Sequence, residues 1–428
     1  MTAEVGTERS TATAAPSPHR PRIFSRDLAL VWVVNFFLAL VFYGLTTTMA
    51  VYAVTRFAVS DSTGGLTASI FVVGATASRL FTGGLVDRVG RRRVLWAGLA
   101  ACVVLAALYL PATSLPVLLV VRAIHGGLFA ITSTAAMTLA QSYIPPSRRS
   151  EGTGYYALSI TLSTAVGPFA ALEIVEAGSY QTLFWSVLGL HVAACLLGLL
   201  VSTKDAPRAE RREQHAGRRG RGLRGFVASM AHPAVLPIAG FILVVGCIYS
   251  GIVTYLNAYT AQEGLQRGAS LFFLAYALVM FLTRFVVGPL QDKRGDNGVI
   301  YSAIAVFAAA LVLLGTASAD WMVVLAGGLS GFGFGTLNPA CQAIAIAKVP
   351  QEQFGLAIST FFLMLDSGIG LGPVLLGVLA QATGYATMYL VLAGAMLLSA
   401  LLYLLVHGRR PEARQGRAAT ARPEPAQA

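Results

Sequence analysis

Twelve stretches of this chain are apolar for about as long as a helix needs to cross a bilayer, roughly 18–20 residues. They cover 28–53, 65–85, 94–110, 115–141, 155–175, 183–201, 235–255, 271–290, 299–316, 322–347, 355–380 and 387–406, the third, sixth and ninth being short. Hydrophobic residues make up 56% of the 428 and charged ones only 12%, with a mean hydropathy of +0.68. A soluble domain carries about 25% charged residues. Most of the chain therefore faces hydrocarbon rather than water. Several runs contain Gly or Pro, which membrane helices tolerate better than soluble ones.

The runs fall into two sets, because the chain repeats itself at an offset of 205 residues. Arg79, Gly83, Leu85, Asp87, Arg88 and Gly90 recur as Arg284, Gly288, Leu290, Asp292, Lys293 and Gly295. Pro145 maps onto Pro350 and Gly167-Pro168 onto Gly372-Pro373 without a gap. A repeat of this length is a duplicated half-protein rather than a solenoid unit. With both halves in the membrane, duplication places a site at their interface, which points to transport.

The net charge of +12 is a topology signal. Of 31 Lys and Arg, 26 lie in the two tails and the even-numbered connections. Arg56 and Arg267 lie on the opposite side, and Arg79, Arg122 and Arg284 lie inside apolar runs. The positive-inside rule then puts both termini in the cytoplasm, in a bacterial inner membrane, and no nucleic-acid partner is expected. Residues 1–27 are polar and basic without the build of a signal peptide, and read as a disordered cytoplasmic tail, as do 408–428. Between the halves, 28–203 and 227–407, the basic stretch 204–226 reads as a flexible linker. Leu223 and Phe226 offer too little apolar face for an amphipathic surface helix.

Cys102, Cys195, Cys247 and Cys341 occupy four different runs, with neither metal-knuckle nor redox spacing, and read as small buried hydrophobes. No metal or cofactor is expected. The chain contains no Gly-Lys dipeptide, hence no P-loop. The energy source must lie outside the polypeptide, in an ion gradient, and no reaction is expected on the substrate.

From Leu28 to Val406 the chain resembles the major facilitator superfamily. The diagnostic element is Gly83-x-Leu85-x-Asp87-Arg88-x-Gly90-Arg91-Arg92 between helices 2 and 3, echoed in half from Gly288 to Gly295. The resemblance implies an all-α membrane fold of twelve helices in two six-helix halves, and a latch. Gly83 lets helix 2 approach a neighbour closely. Asp87 would face the positive N-terminus of helix 11, near Gln353. Asp292 would do the same in the second copy, where Asp296 and Asn297 replace Arg91 and Arg92 and a weaker latch is expected. Ser163 to Ala171 resembles the helix-5 antiporter motif around Gly167 and Pro168, with Ser163, Ala171 and Leu172 replacing its other glycines. Its helix-11 equivalent holds Gly368, Gly370, Gly372, Pro373 and Gly377. Such residues favour close helix packing, and Pro a bend.

Two intramembrane charges carry the chemistry. Arg122, in helix 4, resembles the arginine thought to serve proton coupling in antiporters, and its repeat partner is Gly327. Asp366 is the one acid deep inside an apolar run. At 1.5 Å per residue it lies about 20 Å from the cytoplasmic start of helix 11, and Arg122 about 12 Å from the outer start of helix 4. In a core of about 30 Å both fall at similar depth, so Asp366 is read as a proton or substrate-cation site, or as a structural hydrogen-bonding group. Asn35, Tyr43, Tyr249, Tyr255, Asn257, Asn338 and His125 are candidates for the cavity lining or for helix–helix hydrogen bonds. His191, Glu173 and Glu176 read as structural, and Arg79 and Arg284 as snorkelling or latch-supporting residues.

The expected protein is a monomeric, proton-coupled secondary transporter working by alternating access on a small amphipathic molecule (a drug, metallophore or sugar). The helix-5 pattern favours an efflux antiporter. The alternatives are a proton-coupled importer and a membrane sensor or scaffold without turnover.

Overall fold

The structure, a computed structural model, describes residues 23–202 and 231–417. Within them lie twelve helices of at least 18 residues. The first six are α1 (Arg26–Phe57), α2 (Asp61–Val89), α3 (Arg91–Leu108), α4 (Leu115–Tyr143), α5 (Arg149–Ala177) and α6 (Tyr180–Leu199). The second six are α7 (Leu236–Gln262), α8 (Gln266–Arg294), α9 (Asp296–Gly315), α10 (Asp320–Ala347), α11 (Phe354–Thr383) and α12 (Tyr385–Tyr403). Ten of the twelve are long and apolar enough to cross a membrane. The other two are α3, which opens on three arginines, and α10, which is diluted by five glycines.

Most helices outrun their apolar stretches: the first starts at Arg26 and ends at Phe57, where hydropathy suggests 28–53. Hydrophobicity says where lipid begins, whereas capping groups say where a helix ends. The hydroxyls of Ser25, Ser60 and Ser179 each accept a backbone N–H in the first turn of α1, α2 and α6. At the other end, Gly90 (φ 106°) and Gly295 (φ 91°) make the α2–α3 and α8–α9 turns in conformations that L side chains rarely adopt.

The stretch expected to be a linker, 204–226, lies outside the described residues, as do 1–22 of the N-terminal tail and 418–428 of the C-terminal one. The C-terminal tail corrects the expectation of disorder from residue 408, because as far as Arg417 it is packed. A one-turn helix, α13 (Pro411–Arg414), buries Ala413. Arg417 reaches Asp296 at 2.9 Å and Asp292 at 3.4 Å, and Asn297 Nδ2 donates to the Gly408 carbonyl at 3.0 Å. Two acids on the α8–α9 turn thus hold a segment too polar for a hydropathy profile to register.

Helix packing follows the repeat. In the first set α1 packs on α5, α2 on α4, and α3 on α4 and α6; in the second α7 packs on α11, α8 on α10, and α9 on α10 and α12. The sets join reciprocally, α2 on α11 and α8 on α5. Small residues make these approaches possible. A Cβ at Gly126 would strike the Phe71 carbonyl, and one at Gly331, 205 residues on, the Tyr276 carbonyl. Large apolar side chains cover the outside, among them Val374, Leu375 and Val378 on α11 and Leu397, Leu398 and Leu401 on α12. That belt would be an aggregation surface in water and is the natural face toward lipid.

Candidate functional site

Two carboxylates join the two sets of helices, each at a helix N-terminus. Asp87, in the last turn of α2, accepts the Gly355 N–H at 2.9 Å and the Leu356 N–H at 2.8 Å, at the N-terminus of α11. Those donors have no partner within their own helix, and the helix dipole favours an anion there. Gly83, one turn earlier, lets the backbones meet: an added Cβ would lie 2.6 Å from Leu356 Cα. In the second copy Asp292 accepts the Ser150 N–H at 3.0 Å and the Glu151 N–H at 2.8 Å, with Gly288 against Glu151 Cα. The carboxylate geometry is the same in both, so nothing in the contact itself makes the second weaker.

The flanking groups differ. Arg91 donates to the Gln351 carbonyl and lies 5.7 Å from the Phe354 ring, while Arg88 is exposed. Asp296, in Arg91's place, accepts from Gln291 Nε2 at 2.8 Å, sits 2.8 Å from His407 Nε2 and pairs with Arg417. An acid there gathers the C-terminal segment in place of an arginine's contacts.

Deeper in, Asp366 on α11 meets Arg79 on α2, Oδ2 to Nε at 2.5 Å. Ser359 donates to the Arg79 carbonyl at 2.5 Å, Arg79 Nη1 lies 3.4 Å from Thr134 Oγ1, and Phe362 faces the guanidinium at 4.6 Å. The pair spans the α2–α11 interface on the same two helices that Asp87 joins.

Arg122, at similar depth to Asp366 by the residue count, turns to other partners. Fully buried, it donates Nε to the Thr67 carbonyl at 2.5 Å and Nη2 to the Ala68 carbonyl at 3.3 Å, and lies 5.2 Å over Phe71. Equal depth does not mean an equal side of the helix: Gly126, one turn on, seats this face of α4 against α2. At the equivalent α8–α10 contact, Gly327 abuts Phe272.

His125 also points away from Asp366, with Nδ1 at 3.1 Å from Tyr109 Oη and Nε2 at 3.2 Å from His191 Nε2. Asn35 bridges α1 and α5 through Ser159 Oγ at 2.8 Å, and Tyr255 donates to the Pro373 carbonyl at 2.6 Å. Asn257 is exposed and Asn338 half-buried. Tyr249 stacks on Phe334 with centroids 3.7 Å apart, and Tyr43 lies within electrostatic range of both Tyr249 and Asp366. Tyr43, Tyr249, Asp366 and Arg79 are thus the sequence candidates and neighbours that converge.

Arg284, the repeat partner of Arg79, donates Nη1 to the Gly335 carbonyl at 2.6 Å. Thr161 stands where the repeat would place an acid. With Thr283, Gln291 and Thr336, Arg284 lines a cavity of about 10 Å³, room for one water-sized guest. The Gly-Pro pairs lie at two further close contacts: an added Cβ at Gly167 would lie 2.9 Å from the Leu40 carbonyl of α1, and one at Gly372 would meet Ser250 Oγ of α7. Pro168 and Pro373 lie inside α5 and α11.

The chain matches the family model of the Major Facilitator Superfamily over residues 31–314 and again over 266–428. The MFS-type transporter YhhS of Escherichia coli is 25% identical over 361 residues, covering 81% of this chain and 84% of that protein. An MFS-type transporter of Burkholderia mallei is 24% identical over 410 residues, covering 92% and 96%. Among solved structures, the Escherichia coli fucose:proton symporter FucP in its outward conformation superposes with a TM-score of 0.72 at 16% identity, over 90% of this chain and 99% of that one. With the family model spanning the helices that hold both carboxylate contacts and the Arg79–Asp366 pair, the chain belongs to the major facilitator superfamily, a family of membrane transporters and not enzymes.

Proposed function

We propose that the protein is a proton-coupled secondary transporter of twelve spans in two homologous halves, and that it exports a small amphipathic molecule in exchange for protons. The Arg79–Asp366 pair carries this reading. Arg79 is buried and Asp366 half-buried, the pair joins the two halves, and Asp366 lies about three helical turns beyond the N–H groups that Asp87 holds. Protonating Asp366 removes the ion pair and leaves Arg79 an unpaired cation, so a proton arriving there changes the energy of the contact that must part when the cytoplasmic side opens. Tyr43 lies within electrostatic range of that carboxylate. The charge distribution supports cytoplasmic termini, and with them a cytoplasmic gate at Asp87 and Asp292.

Export is supported by the helix-5 Gly167-Pro168 pattern; a second reading, import, is favoured by the fold-level likeness to a fucose:proton symporter. The test uses proteoliposomes with an imposed pH gradient and amphipathic dyes or sugars. Gradient-driven accumulation should vanish in Asp366→Asn while substrate exchange without a gradient persists. Gradient-driven transport that survives Asp366→Asn sinks the coupling role, and the direction of accumulation decides between export and import.

A further inference from the structure

One cluster stands apart from the α2–α11 pair and takes no part in transport as proposed. Cys102 on α3, His125 on α4 and His191 on α6 are all buried, and one thiol sulfur and two imidazole nitrogens lie within 4.8 Å of one another. We propose that Cys102 Sγ, His125 Nε2 and His191 Nε2 form a binding site for one cuprous ion.

The two rings already stand at the spacing of a bound site, and the sulfur lies within 4.8 Å of them. The two Nε2 atoms are 3.2 Å apart. Ring nitrogens bound to one ion at about 2.0 Å lie about 3.3–3.5 Å apart at tetrahedral to trigonal angles. The outer partners of the rings are in place. His191 Nδ1 is 2.9 Å from the Val187 carbonyl, which can only accept, so Nδ1 carries the proton and Nε2 presents its lone pair. Tyr109 Oη, 3.1 Å from His125 Nδ1, can donate or accept. Without metal it donates, leaving His125 Nε2–H to bond His191; with metal it accepts from Nδ1–H and frees His125 Nε2 as a ligand.

Charge selects the ion. Phe71 carries the Arg122 guanidinium at 5.2 Å on its ring and meets His125 at 5.4 Å, and Arg122 Nη1 is buried without a hydrogen-bond partner. Cu(I) displaces the thiol proton, which leaves to the solvent, so the cluster's charge beside Arg122 is unchanged and no electron moves. Zn(II) would add a positive charge in the same apolar space. A thiolate with two imidazoles and no carboxylate also suits the softer, three-coordinate ion. The ion would tie α3, α4 and α6 together within the first set of helices.

The experiment uses the full-length, tag-free protein in detergent, loaded anaerobically with Cu(I) under ascorbate and desalted. One copper per chain is expected. Competition with a Cu(I) chelator should show at least a tenfold weaker site in Cys102→Ser and His191→Gln and an unchanged one in Cys195→Ser, one helical turn from His191. Copper-edge X-ray absorption of the unaltered protein should report one sulfur and two nitrogens, a readout that holds even where the variants fail to fold. Copper retained equally by Cys102→Ser, a spectrum without sulfur, or Zn(II) displacing Cu(I) in mixed loading overturns the assignment.

Discussion

Replacing Asp292 by Asn should loosen the N-terminus of α5 as much as replacing Asp87 loosens that of α11. Each carboxylate accepts two backbone N–H groups at 2.8–3.0 Å and is nearly buried. A carboxamide keeps one acceptor oxygen and turns an N–H₂ toward the other donor, so one charge-assisted hydrogen bond and the charge–dipole attraction are lost. These amount to about 1.5–3 and 0.3–1 kcal/mol, together about 2–4 kcal/mol. The opening equilibrium of each contact should rise about 30- to 700-fold. Hydrogen–deuterium exchange in nanodiscs reads this locally, because amide exchange scales with the opening constant when closing is fast. Asp292→Asn should accelerate Ser150 and Glu151, and Asp87→Asn should accelerate Gly355 and Leu356, each leaving the other pair within about threefold of the unaltered protein. A response at 150–151 below about threefold, beside the full response at 355–356, would refute the inference from matched geometry to matched strength.

Asp366→Asn should lower the apparent denaturation midpoint by leaving Arg79 without an acid. Breaking a buried pair costs about 3–5 kcal/mol, reduced here to about 2–3 because the Asp366 side chain is 22% exposed. Adding Arg79→Gln should restore part of the loss, and strictly additive effects would show that the pair is not coupled. Gly126→Ala and Gly331→Ala drive a Cβ into a facing carbonyl and should each cost about 1–3 kcal/mol, whereas Gly189→Ala and Gly370→Ala, with open space around them, should stay within about 0.5 kcal/mol in thermal unfolding. Lys348, past the end of α10, has its pKa lowered to about 8 by burial first and by Arg410 next. The folded chain then binds fewer protons than the unfolded one between about 8 and the ordinary 10.5, so stability should rise with pH through that window. Lys348→Met should remove that rise and stabilise the protein near pH 7; an unchanged pH profile would contradict the burial of its charge.

The interface contacts were legible because the repeat marks them twice. Gly83 and Asp87, Gly288 and Asp292, Gly167 and Gly372 each pair a small residue with a close approach, and the facing helix end follows from the resemblance. The partner of Asp366 was not. A depth count put Arg122 level with it, but the same count from the end of α2 puts Arg79 about 15 Å deep and Asp366 about 18 Å from the start of α11. Depth is one coordinate of three, and Arg79 and Asp366 share an interface where Arg122 does not. His125 and His191 likewise looked unrelated, being on helices whose mutual rotation no periodicity specifies.

The linear order of residues was enough for a membrane-embedded helical chain and its duplicated plan, because hydrophobic length and repeat spacing are local properties that a bilayer makes decisive, while the helix end that Asp87 faces came from the family resemblance. Packing alone decided which buried charge meets which, that the C-terminal segment folds back onto Asp292 and Asp296, and that a thiol and two imidazoles share one apolar pocket. Those outcomes depend on how each helix is rotated about its axis, and that rotation is set by the close contacts of small residues on both packed helices together rather than by one helix alone.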